Sequence, residues 1–120
     1  MNVLVVEDEP LIRLGLAAAI EDAGYGAVEA AHADEALARL AAGQFAVMVT
    51  DVDMPGSMNG IRLAHRVRAT WPAVQILVIS GKVGVAPGEL PSGVQFLSKP
   101  VEEARLIRVV DALSGKGNSV

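Results

Sequence analysis

Apolar residues in this chain fall in short runs that alternate with longer segments of helical spacing, and the alternation repeats from end to end. Val3–Val6 is wholly apolar and reads as a buried strand. Glu7, Asp8 and Glu9 follow it, and Pro10 suits the first turn of a helix, where its missing N–H costs nothing. Leu11–Ala23 has helical periodicity and Gly24 ends it. Its apolar residues spread more widely than one sheet-facing stripe requires. Leu11, Leu14 and Ala18 fall off that stripe and form a candidate docking patch, set against the plainer reading of a helix rich in Ala and Leu. Ala27–Ala30 is a weak strand suited to a sheet edge. Asp34 and Glu35 are acids where a helix dipole favours them, opening the helix Glu35–Ala42 that stops at Gly43.

Ala46–Thr50 is the central strand, and Asp51 stands where the chain leaves it. Asn59–Thr70 is a third helix, made basic by Arg62, Arg66 and Arg68 and closed by Pro72. Gln75–Ile79 is another apolar strand, followed by Ser80-Gly81. Pro87, Gly88 and Pro91 make a regular helix over Val83–Pro91 improbable, so a loop or one distorted turn is expected. Val94–Leu97 is the last strand and Glu102–Leu113 the closing helix. Residues 1–114 then make one domain, and 115–120 a flexible tail. Strand–helix alternation of this kind predicts a flavodoxin-like, doubly wound, five-stranded parallel sheet of order 2-1-3-4-5, with helices on both faces and an eroded fourth helix.

Composition narrows the function classes. The net charge of −4 argues against a general nucleic-acid or membrane-surface binder. The absence of cysteine removes disulfides and thiolate chemistry and fits a reducing compartment. No apolar run approaches the ~18 residues of a membrane span, so a cytoplasmic protein is expected.

In the 2-1-3-4-5 order the first and third strands are neighbours, and ligands bind beyond the carboxyl ends of the strands. Glu7 and Asp8 therefore converge with Asp51 and Asp53, and Ser80 and Lys99 join them from the fourth and fifth strands. Crowded carboxylates repel one another, and a hard divalent cation relieves the conflict. Carboxylates, a backbone carbonyl and waters suit Mg²⁺. A carboxylate beside a metal, a hydroxyl and an ammonium forms a phosphoryl site, in which the carboxylate is the nucleophile and the product an acyl phosphate. Taken singly, each residue has a plainer reading. A strand-end Asp caps a helix, a Ser turns a chain, and a Lys is solvated.

Four motifs carry a family resemblance over essentially the whole chain: VLVVEDEP at Val3–Pro10, TDVDMPG at Thr50–Gly56, VISG at Val78–Gly81 and FLSKP at Phe96–Pro100. With them the sequence resembles a response-regulator receiver domain. The resemblance implies that Asp51 accepts a phosphoryl group from a phosphohistidine on a histidine kinase or histidine phosphotransfer protein. It implies that Glu7, Asp8, Asp51 and the backbone carbonyl of Asp53 hold Mg²⁺, and that Lys99 pairs with the phosphoryl group before a cis bond to Pro100. Ser80 and Phe96 would be the switch residues. Asp53 and Lys82 fall at positions that set phosphoryl lifetime in the family, and they are expected to pair across the site mouth.

The sequence departs from the usual pattern in four places. Glu7 stands where Asp is commoner, Gly56–Gly60 is one residue longer, Gly81 follows Ser80 where Ala is frequent, and the fourth helix is eroded. The expected protein is a stand-alone receiver that catalyses only its own phosphorylation and dephosphorylation. It would contact an unidentified downstream protein, bind no nucleic acid directly and no membrane, and exist as a monomer or weak homodimer. Two alternatives are a phosphorylation-independent binding module of the same fold and a Toprim-like metal-dependent nucleic-acid enzyme, the latter suggested by Glu7 with Asp51-x-Asp53.

Overall fold

The computed structural model describes residues 1–81 and 88–116. Five strands and four helices alternate: β1 (Asn2–Val6), α1 (Pro10–Asp22), β2 (Gly26–Ala30), α2 (Ala33–Ala42), β3 (Val47–Asp51), α3 (Gly60–Thr70), β4 (Gln75–Ser80), β5 (Gln95–Ser98) and α4 (Glu103–Ser114). The sheet runs β2-β1-β3-β4-β5, and every neighbouring pair is parallel. The expected order is therefore the observed one. Element ends move by one or two residues, the largest shift being α2, which starts at Ala33 rather than Glu35. The expected loop over Val83–Pro91 falls mostly outside the described residues, and 88–90 form turn and bend.

Two apolar layers flank the sheet because alternate strand residues face opposite sides. Leu4, Val6, Met48, Ile76 and Val78 pack under α2 and α3 against Ala36, Leu40, Leu63 and Val67. Val3, Val5, Val47, Val49, Leu77 and Ile79 pack under α1 and α4 against Ile20, Leu106 and Val110. With both faces covered, consecutive residues of the central strands can be apolar, as Val3–Val6 of β1 and Val47–Val49 of β3 are. Burial of a side chain such as Leu63 or Leu106 contributes about 1.5–3 kcal/mol.

Local chemistry fixes the helix ends. The His32 ring accepts the Glu35 N–H at 3.3 Å and caps α2, which explains its earlier start. The Asn59 side chain caps α3 through the Arg62 N–H at 3.0 Å. The buried Tyr25 hydroxyl meets Asp111 and, at 2.9 Å, the Ser114 hydroxyl, tying the start of β2 to the end of α4. Burial, then the Asp111 hydrogen bond, raise the Tyr25 pKa above 10.0.

No helix among the described residues is long and apolar enough to cross a membrane. Leu11, Ile12 and Leu14 are exposed on α1 at 79%, 42% and 54%, and Ala18 is exposed beside them. The spread of apolar residues read from the sequence is therefore a surface feature of this helix.

Candidate functional site

Where β1 stops, the backbone is still gripped by its neighbour: the Glu7 N–H donates to the Ala30 carbonyl at 3.0 Å. That contact turns the Glu7 side chain inward, and it is 1% exposed. Asp8, the next residue, faces outward and is exposed. Asp51 closes β3 from a fully buried strand and is 6% exposed. One carboxylate oxygen from each of Glu7, Asp8 and Asp51 can be chosen so that all lie within 4.8 Å of one another.

One cation is already there. Lys99 Nζ lies 3.0 Å from Glu7 Oε1 and 3.2 Å from Asp51 Oδ2. Lys99 follows β5, its N–H donates to the Ser80 carbonyl at 2.9 Å, and its bond to Pro100 is cis, as the resemblance implied. Burial pulls the Lys99 pKa down, but the Glu7 hydrogen bond and the Asp51 charge outweigh it, and the pKa stands above 10.5. Desolvation raises the Asp8 pKa above 3.8, aided by its hydrogen bond with Glu7. The second Glu7 oxygen accepts the Glu9 N–H at 3.3 Å.

Asp51 Oδ1 is buried and has no hydrogen-bond partner among the described residues. An orphaned carboxylate oxygen beside two other carboxylates is costly without a cation. The donor set is all hard oxygen, which fits Mg²⁺ and excludes the thiolate or imidazole environment of softer metals.

Glu7, Asp8, Asp51 and Lys99 thus come together as the sequence suggested. Ser80 ends β4 beside them and is 1% exposed. Asp53 is exposed beyond β3. Phe96 sits on β5 opposite Val78 and is 38% exposed. Lys82 lies outside the described residues, and so does its expected pairing with Asp53.

Sequence reasoning passed over three residues. Gly60 opens α3 with its N–H on the Val52 carbonyl at 2.9 Å, and a Cβ there would lie 1.9 Å from the Asp51 carbonyl oxygen. Its signal was a glycine at the start of an otherwise good helix. Arg13 donates to the Glu7 carbonyl oxygen at 2.9 Å and to Glu29 Oε1 at 3.1 Å. Arg13 reads as a solvated helix residue and Glu29 as an edge-strand acid, so neither carried a signal. A groove of about 600 Å³ opens between α1 and α4, lined by Ile12, Gly15, Leu16, Lys99, Val101 and Leu106 among others.

A family model described as the response regulator receiver domain matches residues 3–111. The chain is similar to the response regulator receiver protein CpdR of Brucella abortus, at 32% identity over 115 residues, covering 93% of this chain and 95% of that protein. It is also similar to the nitrogen assimilation regulatory protein NtrX of Azorhizobium caulinodans, at 32% identity over 114 residues. That match covers 92% of this chain and 25% of NtrX, so the chain spans a quarter of that relative. The solved receiver domain of the Francisella response regulator 1452 has a TM-score of 0.86 at 26% identity, covering 97% of this chain and 98% of that one.

Proposed function

Since the chain belongs to the response regulator receiver domain family of two-component signalling, we propose that Asp51 is its phosphoacceptor, loaded from a phosphohistidine with Mg²⁺ present. The observation that carries this reading is Asp51 itself, with Oδ1 buried and unpartnered and Oδ2 held by Lys99 at 3.2 Å. One oxygen is anchored and the other is left to attack. In the transfer, Asp51 Oδ1 bonds to phosphorus, the P–N bond to the donor imidazole breaks, and the imidazole leaves with the electron pair and takes a proton. The product is an acyl phosphate on Asp51.

Glu7, Asp8, Asp51 and the Asp53 backbone carbonyl would hold Mg²⁺, which supplies positive charge against the developing charge on the phosphoryl oxygens. Lys99 changes partner: the ammonium that bridges two carboxylates turns to a phosphoryl oxygen once Asp51 is esterified. Ser80 donates its hydroxyl to another of those oxygens, and Phe96 turns inward from its exposed position as the switch ring. That rearrangement is the signal passed to a downstream protein. Asp53 and Lys82, at the positions that set phosphoryl lifetime in the family pattern, hinder the water that hydrolyses the acyl phosphate.

The donor docks on α1. Leu11, Ile12 and Leu14 are apolar and exposed on the helix that leads away from Glu7 and Asp8, so a partner held there lies next to the site. A histidine kinase or histidine phosphotransfer protein presenting helices fits that face.

Mass spectrometry after treatment with acetyl phosphate and Mg²⁺ tests the reading. One phosphoryl unit is expected on the native chain and none on Asp51→Ala. A native chain that stays unmodified would instead be a binding module with the receiver fold.

A further inference from the structure

We infer that Arg13, oriented by Glu29, is a positioning residue for the divalent cation: it holds the backbone from which Glu7 and Asp8 project. The inference rests on the reading of Glu7, Asp8 and Asp51 as the Mg²⁺ site. Arg13 touches neither a carboxylate of that cluster nor the phosphoryl position. It acts through the peptide.

Glu7 is clamped on both sides of its backbone. Its N–H is taken by the Ala30 carbonyl at the end of β2. Its carbonyl oxygen is taken by Arg13 Nη1 at 2.9 Å, from the first turns of α1. The Glu7 carbonyl belongs to the peptide that leads into Asp8, so fixing it fixes the direction in which Asp8 leaves. Arg13 is fixed in turn: its Nε donates to Glu29 Oε1 at 3.1 Å, from the edge strand β2. A planar guanidinium can meet a carbonyl and a carboxylate at once in a set geometry, and a lysine ammonium cannot copy both contacts. Glu9 closes the same turn, since its N–H donates to Glu7 Oε2 and its carbonyl accepts the Arg13 N–H at 2.9 Å.

The sign of the effect separates positioning from plain electrostatics. Arg13 carries a positive charge close to a cation site. If charge were its whole role, removing it would tighten Mg²⁺ binding. If it positions the carboxylates, removing it loosens Mg²⁺ binding, and loss of groups that orient metal ligands weakens affinity by about tenfold or more.

The test is calorimetric titration of the full chain with Mg²⁺ alone, without any phosphoryl donor. Arg13→Gln is expected to raise the Mg²⁺ Kd about tenfold, Arg13→Lys to recover part of that loss, and Glu29→Gln to raise it about threefold. Phosphorylation by acetyl phosphate is expected to slow at limiting Mg²⁺ and to return to the native rate at saturating Mg²⁺. An unchanged or lowered Kd in Arg13→Gln overturns the inference. Should Arg13→Gln fail to fold, Glu29→Gln decides by the same criterion, because Glu29 is partly exposed at the sheet edge. A native chain that takes up no Mg²⁺ overturns the metal reading and this inference together, whereas native uptake with unaltered variants overturns this inference alone.

Discussion

Lys99 Nζ bridges Glu7 Oε1 at 3.0 Å and Asp51 Oδ2 at 3.2 Å, so one ammonium occupies the space between two buried carboxylates. It stabilises the chain without metal and competes with a dication for the same charge. Lys99→Met keeps much of the side-chain volume and removes the charge. Loss of one partner from a buried ion pair costs about 3–5 kcal/mol, and partial exposure of Lys99 reduces that here to about 1–3 kcal/mol. Thermal unfolding without Mg²⁺ should show this loss, and Mg²⁺ titration should show tighter binding than in the native chain. Because the Lys99 pKa is raised above 10.5, its contribution is whole below that pH and is lost as pH climbs through the raised value.

Asp8 gives the opposite end of the pH scale. Desolvation, then the Glu7 hydrogen bond, raise its pKa above 3.8. A carboxyl raised on folding binds its proton more tightly in the native chain than in the unfolded one. Its contribution is therefore present below pH 3.8 and is lost as pH rises through the raised value. Above that window the ionised cluster weighs against the fold, and a dication offsets it. Mg²⁺ must displace the proton, so the Mg²⁺-induced rise in Tm should grow between about pH 4 and about pH 7. Asp8→Asn should flatten that dependence. A rise in Tm equal at both pH values in the native chain would refute the assignment of Asp8 as a ligand.

Two glycines should respond in opposite directions to the same methyl group. At Gly60 a Cβ would meet the Asp51 carbonyl oxygen at 1.9 Å and its carbon at 2.7 Å, both backbone atoms that cannot swing away. Gly60→Ala should cost at least about 3 kcal/mol and slow phosphorylation, because relief of the clash displaces Asp51. At Gly15, in the exposed middle of α1, a Cβ meets nothing within 4 Å. Gly15→Ala should stabilise by about 0.5–1 kcal/mol through helix propensity. Urea unfolding of both variants checks the pair.

The contrast between these glycines shows what a sequence can and cannot make visible. Strand order and the convergence of Glu7, Asp8, Asp51 and Lys99 were legible because apolar runs, turn residues and acids repeat in one consistent order. A parallel sheet then allows few ways to arrange them. Gly60 and Arg13 were not, because their work is done on backbone atoms of other residues, and Glu29 was not, because it acts only through the Arg13 guanidinium. A contact to a carbonyl oxygen leaves no mark on the identity of the residue that owns it. The His32 cap was hidden for a related reason, since histidine is an uncommon residue at that position.

Phosphoryl lifetime depends on access of water to the acyl phosphate. Asp53 is exposed just beyond Asp51, and Lys82, paired with it in the family pattern, directly follows Ser80-Gly81 in the sequence. Asp53→Ala and Lys82→Ala should each shorten the half-life of the phosphorylated chain several-fold without changing its rate of formation from acetyl phosphate. Unchanged half-lives in both variants would remove the pairing as a control of lifetime.

The exposed apolar face of α1 gives a prediction in which stability and function separate. Leu11 is 79% exposed and Leu14 54% exposed, so neither contributes much buried area to the fold. Leu11→Asp and Leu14→Asp should leave Tm nearly unchanged, since substitutions at such positions stay within about 0.5 kcal/mol. Both should label normally with acetyl phosphate, a donor too small to need a docking surface. Transfer from a phosphorylated histidine protein should fall by about tenfold or more, because a charge placed in an apolar interface must be desolvated without a partner. Equal losses with both donors would mean that the substitutions disturb Glu7 and Asp8 through α1. Equal retention with both would mean that the partner approaches Asp51 from another face.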